Sequence, residues 1–94
     1  PTDDAFRQLP AGAVTELLAD PAHLDWVLKN HLIRGRLTIQ KLARMESVTT
    51  LSGRTLVVDR TVGLTIGGAW IARPDVTCSN GVIHAIDKVL IPNL

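Results

Sequence analysis

Ninety-four residues allow a single domain with a modest core, and ten basic against nine acidic side chains leave a net charge of +1 without the basic stripe that nucleic-acid binding needs. The composition is 46% hydrophobic but only 3% aromatic, with no tyrosine, so Leu, Val, Ile and Ala must fill the interior. Cys78 is the single cysteine, which excludes an intrachain disulfide and a cysteine-based zinc site, and no apolar run approaches the roughly 20 residues that span a bilayer.

In chain order, Thr2 is placed to cap a first short helix, with Asp3 and Asp4 in its first turn and Pro10 setting its limit. Residues 12–19 (GAVTELLA) suit a second short helix. Asp20-Pro21 then pairs a capping side chain with proline at the first helical position. From there Leu24, Val27, Leu28, His31 and Leu32 recur at three- and four-residue spacing, which predicts a helix ending near Gly35 with His31 on its apolar face. Thr38–Arg44 reads as one more brief helix. The basic residues Arg34, Arg36, Lys41 and Arg44 have no aromatic neighbour to stack a base, so they read as a solvated face.

After Met45 the pattern changes to β-branched residues punctuated by glycine: SVTTL, RTLVVD, TVGLTI, AWIAR and DVTCS. Ser52-Gly53, Gly67-Gly68 and Asn80-Gly81 are read as two-residue hairpin turns, and Pro74 as an edge or a strand start. Val82–Ile91 is apolar on both faces and is read as a long, central last strand. Helices first and strands second point to an α+β fold and away from alternating βαβ units.

His23, His31 and His84 are the candidate bases or ligands. His23 and His31 are offset by roughly 80° around a helix, and neither belongs to an H-E-x-x-H spacing, so no metal site and no cofactor are expected. Cys78 and His84 sit on opposite arms of the proposed Asn80-Gly81 hairpin. Counting outward from that turn sets Cys78 opposite Ile83 and His84 opposite Thr77, which argues against a Cys-His pair. Asp87 and His84 are read on opposite strand faces. His84 is therefore taken as a structural imidazole bonded to backbone or to a neighbour. A small-ligand or hydrolytic domain using His84 and Cys78 remains the alternative.

Four boxes then carry a resemblance: PTDDAF at 1–6, NHLIRGRL at 30–37, TLSGRTL at 50–56 and SNGVIHAIDKVLIP at 79–92. In that order they resemble fasciclin-like domains. The resemblance implies an antiparallel β-sandwich or wedge with short helices packed against it. It also implies export to the cell surface, periplasm or exterior, and a non-enzymatic role in adhesion to a cell-surface or matrix protein or a glycan. It makes Thr2, Phe6, Asn80, Gly81, His84 and Asp87 structural motif residues. Partner contacts fall on Asn30, His31, Leu32 and Ile33, where a Tyr-His box has lost its tyrosine, and on Asp75 and Val76, where an Asp-Ile pair has lost its isoleucine. Such domains carry more sequence at the front, so residues 1–94 are expected to form one domain lacking roughly its first third. Self-association through surface left open there is a further expectation.

Overall fold

The computed structural model describes residues 1–91. The last residues of the SNGVIHAIDKVLIP box, from position 92, lie outside that range. Among the described residues the helices are α1 (Asp3–Arg7), α2 (Ala13–Ala19), α3 (Pro21–Lys29) and α4 (Ile39–Leu42). Three of them begin where a short polar side chain satisfies a free amide. Thr2 accepts from the Ala5 N–H at 3.1 Å, Asp20 from His23 at 3.2 Å, and Thr38 from Lys41 at 3.4 Å.

The strands β1 (Ser47–Thr49), β2 (Thr55–Asp59), β3 (Thr65–Ile66), β4 (Ala69–Cys78) and β5 (Gly81–Ile86) pair antiparallel in the order β1-β2-β3-β4-β5. The expected α+β class, with helices in the first half and an antiparallel meander in the second, is therefore found. Alternation along β2 sends Leu56 and Val58 inward and leaves Thr55, Val57 and Asp59 outside. Leu42 of α4 joins Val48, Leu56, Val58, Ile66, Ala69 and Ile86 in one buried aliphatic core, which Ile33, Leu37, Met45, Leu64, Ile71 and Leu90 complete at its margins. The chain start is tied to the sheet by the Thr2 N–H, which donates to the Ile86 carbonyl at 2.9 Å, and by the buried Ala5.

Several local expectations are corrected. The third helix stops at Lys29, not near Gly35, because Asn30 and His31 turn their side chains to bonds with a distant segment and the chain leaves the helical path. Only Gly67-Gly68 makes the expected two-residue turn, both residues having the positive φ (58° and 83°) that glycine accepts without strain. The β1–β2 link is longer, closing from the Thr50 N–H to the Arg54 carbonyl. In the last hairpin Cys78 pairs with Gly81 and not Ile83, so Ser79 and Asn80 form the turn, one residue earlier than expected, and every partner on β5 is shifted by two residues. Pro74 does not start a strand, but it does lie at an edge: beyond Trp70, β4 has β5 as its one paired neighbour among the described strands, and at Pro74 the register shifts and its neighbour Asp75 adopts φ 56°. The last strand ends at Ile86 and stands at the end of the sheet order, not in the middle.

Candidate functional site

The corrected register sets the site. With Val76 opposite Ile83, the next position along β4 brings the Asp75 backbone against His84, which was expected opposite Thr77. The Asp75 N–H donates to His84 Nδ1 at 3.1 Å, and on the other side of the ring Nε2 reaches the Leu37 carbonyl at 2.6 Å. A lone pair used at Nδ1 puts the proton on Nε2, so the neutral ring donates once and accepts once. His84 thus bridges the β4 bulge to the loop before α4. The Asp75 carboxylate continues the bridge by accepting from the Ile39 N–H at 2.9 Å, at the first residue of α4.

His31 repeats this arrangement elsewhere. Its Nδ1–H donates to the Val27 carbonyl at 2.8 Å, at the open end of α3, and its Nε2 accepts from the Leu90 N–H at 2.8 Å. Next to it, Asn30 is only 1% exposed; its Nδ2–H donates to the Leu90 carbonyl, and its Oδ1 accepts from the Ser52 hydroxyl at 3.1 Å. Ser52 is in turn 2.7 Å from the hydroxyl of the buried Thr50. Two consecutive side chains therefore hold both polar groups of the Leu90 peptide, joining the end of α3, the β1–β2 loop and the chain beyond β5. Burial, opposed by the bond to Val27, holds the His31 pKa below the usual imidazole value.

The remaining motif residues are placed as follows. Asp87 accepts from the Trp70 N–H at 2.8 Å through its carboxylate, while its own N–H donates to the Trp70 carbonyl at 3.1 Å, closing the β4–β5 pair just past the strand end. Trp70 rims the sheet with its ring against Gly63. Phe6 lies over an apolar groove of about 350 Å³ shared with Leu17, Leu18, Leu24, Leu28 and Val89. Leu32 is exposed and Ile33 packs at the core margin, whereas Val76 is half-buried.

Both imidazoles line a second cavity of about 300 Å³, walled by Leu32, Ile33, Leu37, Ile83 and Leu90. Of the two partner-contact regions, His31, Leu32 and Ile33 line this cavity, whereas Asp75 and Val76 do not; Asp75 is connected to it through the bond of its N–H to His84. The structure does not bring Cys78 to His84. The Asp75–His84 and Cys78–Gly81 positions are three rungs apart, about 10 Å along the ladder, and the Cys78 thiol lies 3.7 Å from the Val76 carbonyl.

Arg36, read from the sequence as part of a solvated face, donates to the Gly81 carbonyl at 3.0 Å and to the Cys78 carbonyl at 3.2 Å, staking the last hairpin in its register. Thr50 and Ser52, read only as strand and turn residues, complete the Asn30 network. Neither role had a local signal, since each depends on a partner far along the chain. Among the described residues no three His, Cys, Asp or Glu side chains converge as a metal site would require, and no helix is long and apolar enough to cross a membrane.

These features define a small α+β wedge in which a strand imidazole and an Asn-His pair serve as internal struts. The chain matches the fasciclin domain family over residues 1–92 and belongs to it. It is 35% identical to the Synechocystis protein sll1735 over 91 residues, 97% of this chain and 68% of that protein. It is 38% identical to transforming growth factor-beta-induced protein ig-h3 of Sus scrofa over 99% of this chain but 14% of that protein. Human periostin is 30% identical over 99% of this chain and 11% of its own length. The chain thus corresponds to a small part of these last two relatives.

Proposed function

We propose that this fasciclin domain acts outside the cell as a non-catalytic module for adhesion or protein-protein contact, with a cell-surface or matrix protein or a glycan as partner. The observation that carries the reading is that the polar side chains of both motif regions are already bonded inside the fold: Asn30, His31 and His84 through all their ring or amide groups, and Asp75 through the Ile39 amide. Recognition then falls to the apolar rim of the 300 Å³ cavity, where Leu32 is 51% and Ile83 is 57% exposed and Val76 pairs with Ile83 across the strands. His31 lines the cavity, Asn30 beside it helps to hold Leu90 in the wall, and Ile33 anchors the rim to the core.

Retention of the intact exported protein on its own cell surface tests the reading. Leu32→Asp and Ile83→Asp should lose retention with Tm preserved, whereas His84→Ala should lower Tm and still bind at low temperature. Full retention in both aspartate variants overturns the placement on this rim. A stable Cys78→Ala or His84→Ala protein that loses a turnover shown by the wild type overturns the non-catalytic reading.

A further inference from the structure

We propose that His31 is an acid-sensitive latch: protonating its ring releases the Leu90 peptide from the end of α3 and opens the wall that Leu90 provides to the apolar cavity. The geometry carries the argument. The neutral ring donates to the Val27 carbonyl and accepts from the Leu90 N–H, and an imidazolium has no lone pair left to accept with. On protonation two N–H groups would face each other across 2.8 Å, so the Leu90 bond breaks while the Val27 bond, at a helix end that favours positive charge, persists. Among the described residues, the hydrogen bond that then still holds the Leu90 backbone is that of the Asn30 amide to its carbonyl, beside the packing of its side chain at the core margin. Leu90 walls the cavity shared by His31 and His84 as well as the groove beside Gly67 and Lys88, so its release exposes apolar surface on two sides.

The charges around the ring offer the imidazolium no relief. His84 faces the same cavity from β5, and Lys29 on α3 is paired with Asp25 at the surface. Among the described residues no carboxylate acts on the ring, and burial disfavours its charged form. The device goes beyond the adhesion reading, because it is a property of the fold that holds whatever the partner is.

Amide hydrogen exchange by NMR on the intact protein, from about pH 7.5 to about pH 5, tests it, with the His31 ring followed in the same titration. The protection of the Leu90 amide, corrected for intrinsic exchange, should fall roughly tenfold per pH unit below about 6.5 until the ring has titrated, while amides of the β4–β5 ladder keep theirs. In His31→Gln, which is neutral throughout, Leu90 protection should not depend on pH over this range; in His84→Gln the wild-type response should survive. Leu90 protection that stays constant while His31 titrates, or that disappears together with the β4–β5 ladder, overturns the latch. So does a response abolished by His84→Gln. The His84→Gln arm and the ring titration decide the matter even if the His31 variant does not fold.

Discussion

The sheet half and the helical third of the molecule are built to different standards. From α4 to β5 every strand contributes an inward aliphatic residue to one contiguous core, and tight turns and side-chain struts close its links. In α1–α3 the helices are locally well specified, yet only Ala5, Leu17 and Val27 are buried in them, and Phe6, Val14, Leu18 and Leu28 remain substantially exposed around a groove. Capping chemistry is enough to start a helix, but burial supplies most of the free energy that holds one in place. Stability should therefore be graded across the molecule, and substitutions of equal size should cost very different amounts on its two sides.

The largest contrast is expected between Ile66→Ala and Leu18→Ala. Ile66 sits in the closed core between β2 and β4, where truncation leaves a cavity and costs about 2–5 kcal/mol, a large share of the roughly 5–15 kcal/mol that stabilises a domain. Leu18 is 67% exposed, so its truncation should stay within about 0.5 kcal/mol. Urea unfolding of the two variants measures the difference directly. Equal losses would show that the helical third is packed as tightly as the sheet and would break the comparison.

Next in size is Asn30→Ala, at the joint between the two regions. Removing the amide leaves the part-buried Leu90 carbonyl without its partner and takes from Ser52 the acceptor it donates to, leaving it only Thr50, which should cost about 1–3 kcal/mol. Asn30→Asp should cost more, since it sets a carboxylate oxygen against the Leu90 carbonyl it now repels. Midpoints of denaturant unfolding for the two variants, with m unchanged, check the order; a neutral Asn30→Ala would mean that the joint contributes nothing.

What the sequence disclosed follows the same division between local and distant causes. The caps at Thr2, Asp20 and Thr38 and the Gly67-Gly68 turn were legible because each involves residues within about one turn of chain. The end of α3 was not, because its periodic pattern runs on through His31 and Leu32 and the competing partner, Leu90, is 60 residues beyond Asn30. The Asn80-Gly81 pair also misled, since the register is held by the Arg36 guanidinium on carbonyls 42 and 45 residues away, and Gly81 does not take the positive φ that a turn there would need. Of the site, the separation of Cys78 from His84 holds although the expected pairing was two residues off; the His84 contact with the Asp75 backbone arises from the bulge at Pro74, which alternation alone does not announce.

Glycine positions sharpen the contrast at a smaller scale. Gly67 (φ 58°) and Gly12 (φ 85°) both lie in the left-handed region, so alanine at either position carries backbone strain of about 1–2 kcal/mol. A Cβ at Gly67 would also approach Leu56 Cδ2 to 3.1 Å, whereas nothing lies within 4 Å of one at Gly12. Gly67→Ala should lower Tm more than Gly12→Ala, and the reverse order would place the tighter packing in the helical region.

Acid should act on the joint before it acts on either region. The folded His31 pKa lies below the value near 6.5 of an unfolded imidazole, so below that pH the unfolded chain binds a proton that the native chain refuses. Stability is fully present above about pH 6.5 and declines as pH falls from there to the folded value. The ring is only half-buried, so solvent screening keeps the loss modest. Urea midpoints measured down that range should fall in the wild type and much less in His31→Gln; parallel curves would remove His31 as the source.

The smallest effect belongs to the ion pair on α3, where Lys29 Nζ lies 2.9 Å from Asp25 Oδ2 one helical turn earlier. The carboxylate precedes the ammonium at the favourable i, i+4 spacing, and the lysine sits in the last turn, where positive charge is welcome. Both side chains are about half exposed or more, at 49% and 63%, so Lys29→Ala should cost only about 0.3–0.5 kcal/mol and the loss should vanish near about 1 M salt. That figure is no larger than the bound on the Leu18 substitution, and this is what makes it informative. A pair on a loosely held helix can stabilise the native state only as far as the helix itself stays docked. A double-mutant cycle with Asp25→Ala that returns more than about 1 kcal/mol would therefore mean that α3 is anchored well beyond what Val27, Asn30 and His31 provide.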